Sequence, residues 1–206
     1  MEKRNQDVAT LFTHSDGTYA FARWGRPIVP VVFGVDDSTL AVFKGAIEAV
    51  VTLAGHKMDE TDTELGANLM FFFCRNWDEL IDVPNLDKLI PEMLTLVDRL
   101  DQAQANQYRL FRFDETGAIK ACFVFLRMDE QMSEAPADTL ALSQAVHAIL
   151  LWSDSAFNDM PALAMINGQV ALRPEIADVI RAAYDPVMPL AAQDASHALR
   201  IAARLS

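Results

Sequence analysis

Three polar side chains lie at helical spacing in an otherwise apolar stretch, and one of them is an imidazole. Ser143, Gln144 and His147 share one face of a helix that the sequence predicts over about residues 138–152. A histidine there can bind a metal ion, act as a general base or hydrogen-bond inside a core. The face therefore allows two interpretations. It is either a residual polar pocket, or a half-buried helix whose Gln144 and His147 hydrogen-bond to neighbouring backbone.

Other groups that could complete a site are scattered along the chain. Asp154 and Asp159 lie in the loop after this helix, and His56 follows the end of an earlier predicted helix. His56 is also placed to interact favourably with that helix end. The acidic loop 59–64 lacks the spacing and the glycine of an EF-hand, so we expect a solvated loop there and not a calcium site.

The two cysteines, Cys74 and Cys122, lie in aromatic-rich, strand-like runs. A free buried cysteine behaves as a small hydrophobe, and apolar surroundings raise its thiol pKa. A Cys–His nucleophile pair with His147 is therefore disfavoured. A disulfide between neighbouring strands stays open as an alternative, although a reducing compartment would oppose it.

The elements that must position these residues alternate between strands and helices. Residues 18–35 are strand-like, with Pro27 and Pro30 favouring an edge or a bulge. A helix over residues 36–55 precedes a continuous apolar strand, residues 68–74, of the kind found in a sheet covered on both faces.

The second half of the chain supplies the remaining elements. A helix over residues 84–100 contains Pro91, which should kink it or reset its start. A hairpin joins strands 108–113 and 118–126, and after the helix of interest two more helices open at Pro174 and Leu190. The predicted order is β-α-β-α-β-β-α-α-α. Residues 1–17 lack periodicity and are expected to form a loose arm, with residues 18–206 as a single domain of the α+β class.

The composition excludes several classes of protein. The chain has 206 residues, is 51% hydrophobic and carries a net charge of −12, so it is long and apolar enough for a sizeable core. The negative charge disfavours nucleic acid as a partner. No apolar run approaches the ~20 residues of a membrane span, and no secretory signal is evident. We therefore expect a cytoplasmic protein without membrane contact, of undecided oligomeric state.

The order of several short motifs resembles a zincin-like domain of unknown function found in bacteria. The similar segments span about residues 19–188. They are Arg23-Trp24-Gly25-Arg26-Pro27-Ile28, the helix end Ala54-Gly55 ahead of strand 68–73, residues 143–147 followed by an aspartate, and Leu172-Arg173-Pro174-Glu175 running into residues 180–186. The resemblance implies a zincin-like fold, with a mixed β-sheet backed by helices.

The resemblance also places a zinc helix of pattern H-E-x-x-H at residues 143–147. In that pattern two imidazoles grip zinc and the glutamate activates its water. Ser143 occupies the first histidine position and Gln144 the glutamate position, so only His147 is kept. The third ligand position falls on Ser153, with Asp154 one step beyond. Serine is a poor zinc ligand, and glutamine cannot take a proton from water.

The resemblance therefore implies the fold without the peptidase activity. We expect no catalytic residue, bound metal or cofactor, and regard Ser143, Gln144, His147 and Asp154 as degenerate-site positions. The first hypothesis is a non-catalytic binding domain for a protein or peptide along the sheet edge, since peptidases of this architecture bind substrate as an added strand. The alternative is a hydrolase with a site rebuilt around His147, using Asp154, Asp159 or His56.

Overall fold

The computed structural model describes residues 7–205, in which strands and helices form a mixed α+β architecture. The strands are β1 (Phe21–Ala22), β2 (Pro30–Phe33), β3 (Leu69–Cys74), β4 (Gln107–Phe113), β5 (Ile119–Arg127), β6 (Leu163–Ile166), β7 (Gln169–Leu172) and β8 (Ala191–Ala192). The helices are α1 (Asp37–Leu53), α2 (Leu86–Leu89), α3 (Met93–Gln102), α4 (Glu130–Glu134), α5 (Ala137–Ile149), α6 (Pro174–Ala183) and α7 (Ser196–Ala202), with a 3₁₀ turn at Trp77–Leu80. The α+β class is as the sequence predicts.

The central sheet has four strands in the order β2-β3-β5-β4. β2, β3 and β5 are parallel, whereas β4 runs antiparallel to β5 and forms one edge. Alternate side chains of β3 and β5 enter two separate apolar clusters, one with α1 and α5 and the other with α2 and α3. The prediction that residues 68–74 form a strand covered on both faces is confirmed.

Two prolines act as the sequence indicates. Pro30 begins β2, which is the edge strand opposite β4. Pro91 separates two helices, because Ile90 is extended and α3 starts only at Met93. The hairpin of β4 and β5 is also confirmed, with Asp114 Oδ1 accepting the backbone N–H of Thr116 at 2.8 Å in its turn.

The N-terminal segment differs from the prediction of a loose arm over residues 1–17. Val8, Leu11 and Phe12 are buried in the cluster that also holds α1 and α5. The Phe12 ring stacks on Trp152 with centroids 5.4 Å apart. These apolar side chains gain more from burial than the short segment loses in backbone freedom. Residues 1–6 of the predicted arm lie outside the described residues.

The structure has more elements than the predicted order. The one strand predicted over residues 18–35 is two strands, β1 and β2, which lie in different sheets, and β6, β7 and β8 were not predicted. Besides the helical residues 7–10, two short helices are added. β6 and β7 form a hairpin whose turn residues, Asn167 and Gly168, have φ of 52° and 80°. An Asn-Gly pair is the strongest short signal for such a turn, and the sequence analysis overlooked it. The last helix starts at Ser196 and not at Leu190, because β8 pairs with β1. The two short helices are α2 and α4.

No helix in the described range 7–205 is both long and apolar enough to cross a membrane.

Candidate functional site

The helix that carries the candidate residues, α5, lies on the sheet face that it shares with α1. It ends at Ile149, three residues earlier than predicted. Leu150 is already extended and pairs with Arg23, and the N–H of Leu151 donates to the carbonyl of Ala22. The helix end is therefore tied to the segment around β1.

Three buried aromatic side chains cap the C-terminal end of α5. Trp24 Nε1 donates to the Ala148 carbonyl, Trp152 Nε1 to that of Val146, and the Tyr184 hydroxyl to that of Ile149, each at 2.8 Å. Carbonyls in the last turn of a helix have no intrahelical donor, so such bonds satisfy groups that burial would otherwise leave unpaired. We call Trp24, Trp152 and Tyr184 the aromatic cap.

A second group of polar side chains lies where the middle of α5 meets β4. Arg109 Nη2 donates to Gln107 Oε1 at 2.9 Å and to Gln144 Oε1 at 2.5 Å, and Gln144 Nε2 donates to Gln107 Oε1 at 3.2 Å. Gln144 is 2% exposed, whereas Gln107 is exposed at the start of β4. We call Gln107, Arg109, Gln144 and His147 the polar cluster.

Arg109 is a half-buried cation with no carboxylate beside it. Its Nε is buried and has no hydrogen-bond partner within the described residues, and none of the ion pairs found there includes Arg109. Burial lowers the pKa of the guanidinium to about 10, which still leaves it charged at neutral pH. The cluster therefore carries an uncompensated positive charge.

The imidazole of His147 turns back to its own helix. Its Nδ1 lies 2.7 Å from the carbonyl oxygen of Ser143, so this nitrogen carries the proton and donates it. The ring meets Phe157 edge-on, with centroids 4.9 Å apart. Burial, followed by the positive charge of Arg109, lowers the pKa of His147 to about 4. The imidazole is consequently neutral at pH 7, and it is a weak base.

The sequence left two interpretations of the α5 face, a residual polar pocket or a half-buried helix whose side chains bond to backbone. The contacts agree with the second interpretation for His147 but not for Gln144. His147 hydrogen-bonds to backbone, as a half-buried core histidine would. Gln144 does not, because both ends of its amide bond to the side chains of Arg109 and Gln107. Arg109 was not among the residues that the sequence singled out. The only signal for it was a cationic side chain within a strand, and Arg112 of the same strand gives the same signal.

Asp154 lies apart from the other three degenerate-site positions. Its carboxylate accepts the backbone N–H of Ser15 at 2.8 Å, and His14 Nδ1 is 3.7 Å from it. The neighbouring Ser153, at the third ligand position of the zincin pattern, donates to the carbonyl of Thr10 at 3.1 Å. Both residues thus hold the N-terminal segment against the loop after α5, and neither bonds to His147.

The remaining candidates are also separate from His147. His56 Nε2 donates to the Arg26 carbonyl at 2.9 Å, which is a different contact from the helix-end interaction expected for it. In the acidic loop, Asp62 is buried and accepts the N–H groups of Glu64 and Leu65. Asp62 therefore shapes the turn itself, as a structural carboxylate.

Cys74 and Cys122 are free and buried. β3 and β5 pair Leu69 with Cys122 and Cys74 with Arg127, so the two thiols are offset by several residues along neighbouring strands. They also enter opposite apolar clusters. This geometry excludes the disulfide that the sequence left open. Burial raises the pKa of both thiols to about 12, which opposes a nucleophilic role.

A cavity of about 990 Å³ lies away from the polar cluster. It is formed by three segments, residues 7–11, 155–160 and 175–179, together with Leu205. Asp159 lines it, but His147 does not. Within residues 7–205, no three His, Cys, Asp or Glu side chains converge as a metal site would require.

Comparisons with protein-family models, with curated proteins and with solved structures gave no match to this chain.

Proposed function

We propose that the chain is a zincin-like domain without a catalytic zinc centre, and that it works as a non-catalytic binding domain for an extended peptide. One observation carries the proposal: the edge strand β4 has no further strand beside it in the described chain, and its Arg109 bonds to Gln144 of α5, the helix that the resemblance compares with a zinc helix. A mixed sheet with helix α5 packed on one face is consistent with such a fold.

The register of β4 identifies which backbone groups are available. Arg127 N–H donates to the Asn106 carbonyl, and Gln107 lies opposite Leu126. In an antiparallel pair, alternate residues direct their N–H and C=O groups away from the partner strand. Gln107, Arg109 and Phe111 therefore present theirs outward, where no other strand of the described chain pairs with them. A peptide can add there as a fifth strand.

The side chains at residues 143–147, which the resemblance compares with the zinc motif, support a role without catalysis. Ser143 contributes its backbone carbonyl to His147, and Gln144 is held between Arg109 and Gln107. A zinc ligand set needs three convergent side chains, and a water-activating base needs a carboxylate or a stronger imidazole base. Neither requirement is met by the contacts of these residues.

A hydrolase rebuilt around His147 has less support. Asp154 bonds to Ser15, His56 bonds to Arg26, and Asp159 lines a cavity that His147 does not reach. If the purified protein showed a hydrolytic activity that His147→Ala abolished and Asp154→Ala reduced, this alternative would replace the binding proposal.

Metal content tests the first half of the proposal. The untagged protein, purified without chelator and then supplemented with zinc, is analysed by elemental mass spectrometry. We expect zinc well below one equivalent. Near-stoichiometric zinc, together with peptide cleavage that stops on chelation, would refute a non-catalytic role.

Selection from a phage-displayed library of random twelve-residue peptides tests the second half. Enriched peptides are synthesised and N-methylated one position at a time, because N-methylation removes the N–H that a β-ladder uses. We expect affinity to fall at every second position only, which is the signature of strand addition. Failure to enrich any peptide, or an equal effect at consecutive positions, would contradict binding along β4.

A further inference from the structure

Arg109 combines two properties that rarely occur together at a sheet edge. Its backbone groups point outward, to the side where a new strand would add, and its guanidinium lies half-buried against α5. Within residues 7–205, the acceptors of the guanidinium are two neutral amide oxygens that share Nη2, and Nε has no partner. A buried unpaired donor on a charged group costs free energy that a carboxylate could recover.

The chain has enough acidic residues to supply a counter-ion for Arg109. The sequence has 29 acidic residues against 17 basic ones, yet none of the acids within the described residues pairs with Arg109. The other face of β4 also has arginines without an acidic partner in the described chain. Arg112 lies on that face and Arg99 packs over the ring of Tyr108, with 5.4 Å from its guanidinium carbon to the ring centroid. Neither of these arginines forms an ion pair in the described chain.

Strand geometry defines where a partner carboxylate would lie. Arg109 is the third residue of the seven-residue strand β4, so an added strand continues past it in both directions. The residue facing Arg109 would project onto the same face of the sheet, with Cβ atoms about 5 Å apart. An aspartate or glutamate side chain fits this mid-strand position, whereas a C-terminal carboxylate would need the peptide to end there.

We propose that Arg109 is a specificity residue for an acidic peptide, binding the carboxylate of the side chain that faces it in a strand added to β4. This inference rests on the proposed function, since it needs a peptide at the β4 edge. Gln107 and Gln144 position the guanidinium through Nη2, which leaves the N–H groups of its outer edge to donate to the incoming carboxylate. The net charge of −12 repels an acidic peptide from the surface in general. The arginines of β4 therefore make this edge the favoured place for an acidic peptide to bind.

The peptides selected on the native protein provide the probe. We expect one position to be enriched in Asp or Glu, and replacement of that residue by Gln or Asn to weaken binding at least about tenfold. On the Arg109→Met variant the same replacement should make no difference. Arg112→Met is the matched control, because it removes an arginine of the same strand from the opposite face and should leave the dependence on this acid intact.

The outcomes separate the two proposals. Peptides that add along β4 without an acidic preference, or whose acid dependence survives Arg109→Met, would overturn the inference and leave the binding proposal standing. A library that yields no binder would overturn both. An Arg109→Met variant that self-associates in size-exclusion chromatography, while the native protein binds no acidic peptide, would show instead that Arg109 protects the edge from aggregation.

Discussion

The C-terminal end and the middle of helix α5 differ in whether the buried polar groups there are paired. At its C-terminal end, the aromatic cap donates to three carbonyls at 2.8 Å. In its middle, Gln144 meets the Arg109 guanidinium, which has no counter-ion and retains an unpaired Nε. Unpaired buried donors are costly, so a fold normally removes them. The hydrogen-bonding groups at the C-terminal end of α5 are thus paired within the chain itself. Beside its middle, a donor is left that the proposed peptide would pair.

Removing the most deeply buried member of the aromatic cap should have the largest effect. Trp24 is 0% exposed, so Trp24→Ala creates a cavity and also leaves the Ala148 carbonyl unpaired. We expect the free energy of unfolding, measured by urea denaturation, to fall by about 3–5 kcal/mol or more. Leu94→Ala is the control, because its exposed side chain should change stability by less than about 0.5 kcal/mol. Similar losses in both variants would contradict the assigned role of the cap.

Acid should destabilise the protein through two histidines: His147 of the polar cluster, and His197 on α7, whose buried ring packs against Tyr19 and Phe21. Burial lowers the pKa of both His147 and His197 from 6.5 to about 4. The unfolded chain therefore binds these protons more tightly, so the stability that they contribute is present above pH 6.5 and is lost as the pH falls towards 4. Between pH 7 and pH 5 we expect a loss of roughly 2 kcal/mol per histidine, measured by urea denaturation at both values.

The variants His147→Leu and His197→Leu show how much of this loss of stability comes from each histidine. Each should remove about half of the pH-dependent decrease, whatever it does to stability at pH 7, because leucine does not titrate. If neither variant changes the difference between pH 7 and pH 5, the histidines are not the cause.

A smaller change to the cap removes the two hydrogen bonds of one hydroxyl. Tyr184→Phe keeps the ring but removes the hydroxyl. That hydroxyl donates to the Ile149 carbonyl and accepts from the backbone N–H of Trp24. We expect unfolding to become easier by about 1–3 kcal/mol in thermal or urea denaturation. Tyr108→Phe, on β4, is the comparison: its ring packs under Arg99 and its hydroxyl makes no recorded hydrogen bond. An equal loss for both would show that the cap bond contributes little.

The polar cluster should tolerate complete replacement better than partial replacement. Gln144→Leu alone removes one acceptor of Arg109 Nη2 and should cost about 1–3 kcal/mol. The double variant Arg109→Met/Gln144→Leu removes the charge as well and should return to within about 1 kcal/mol of the native protein. Urea denaturation of the native protein, both single variants and the double variant measures this. A double variant less stable than Gln144→Leu would mean that Arg109 stabilises the fold itself.

The sequence predicted local features well where the signal was local. The hairpin of β4 and β5, the apolar strand β3 and the break at Pro91 all depend on turn residues and periodicity within a few residues. The hairpin of β6 and β7 was equally readable from Asn167-Gly168 and was overlooked.

The candidate site could be predicted only in part. The positions of Ser143, Gln144 and His147 on one helix follow from spacing, and all three lie on α5. The partner of Gln144 is 35 residues away on β4, and nothing in the pattern of either element pairs them. Asp154 was grouped with them because it follows the helix, but the chain turns there and its carboxylate bonds to Ser15, 139 residues earlier. Tertiary pairing of this kind leaves no periodic signal.

The aromatic cap also has a consequence for the time course of folding. Its donors are far apart in sequence, at residues 24, 152 and 184, and Trp24 and Ala148 are separated by 124 residues. α5 cannot acquire its full set of partners until Tyr184 has left the ribosome. Contacts this distant in sequence, added to a parallel sheet, favour slow folding, on the order of milliseconds to seconds or longer. A nascent chain that stops before Tyr184 would therefore present an incomplete helix end to chaperones and proteases.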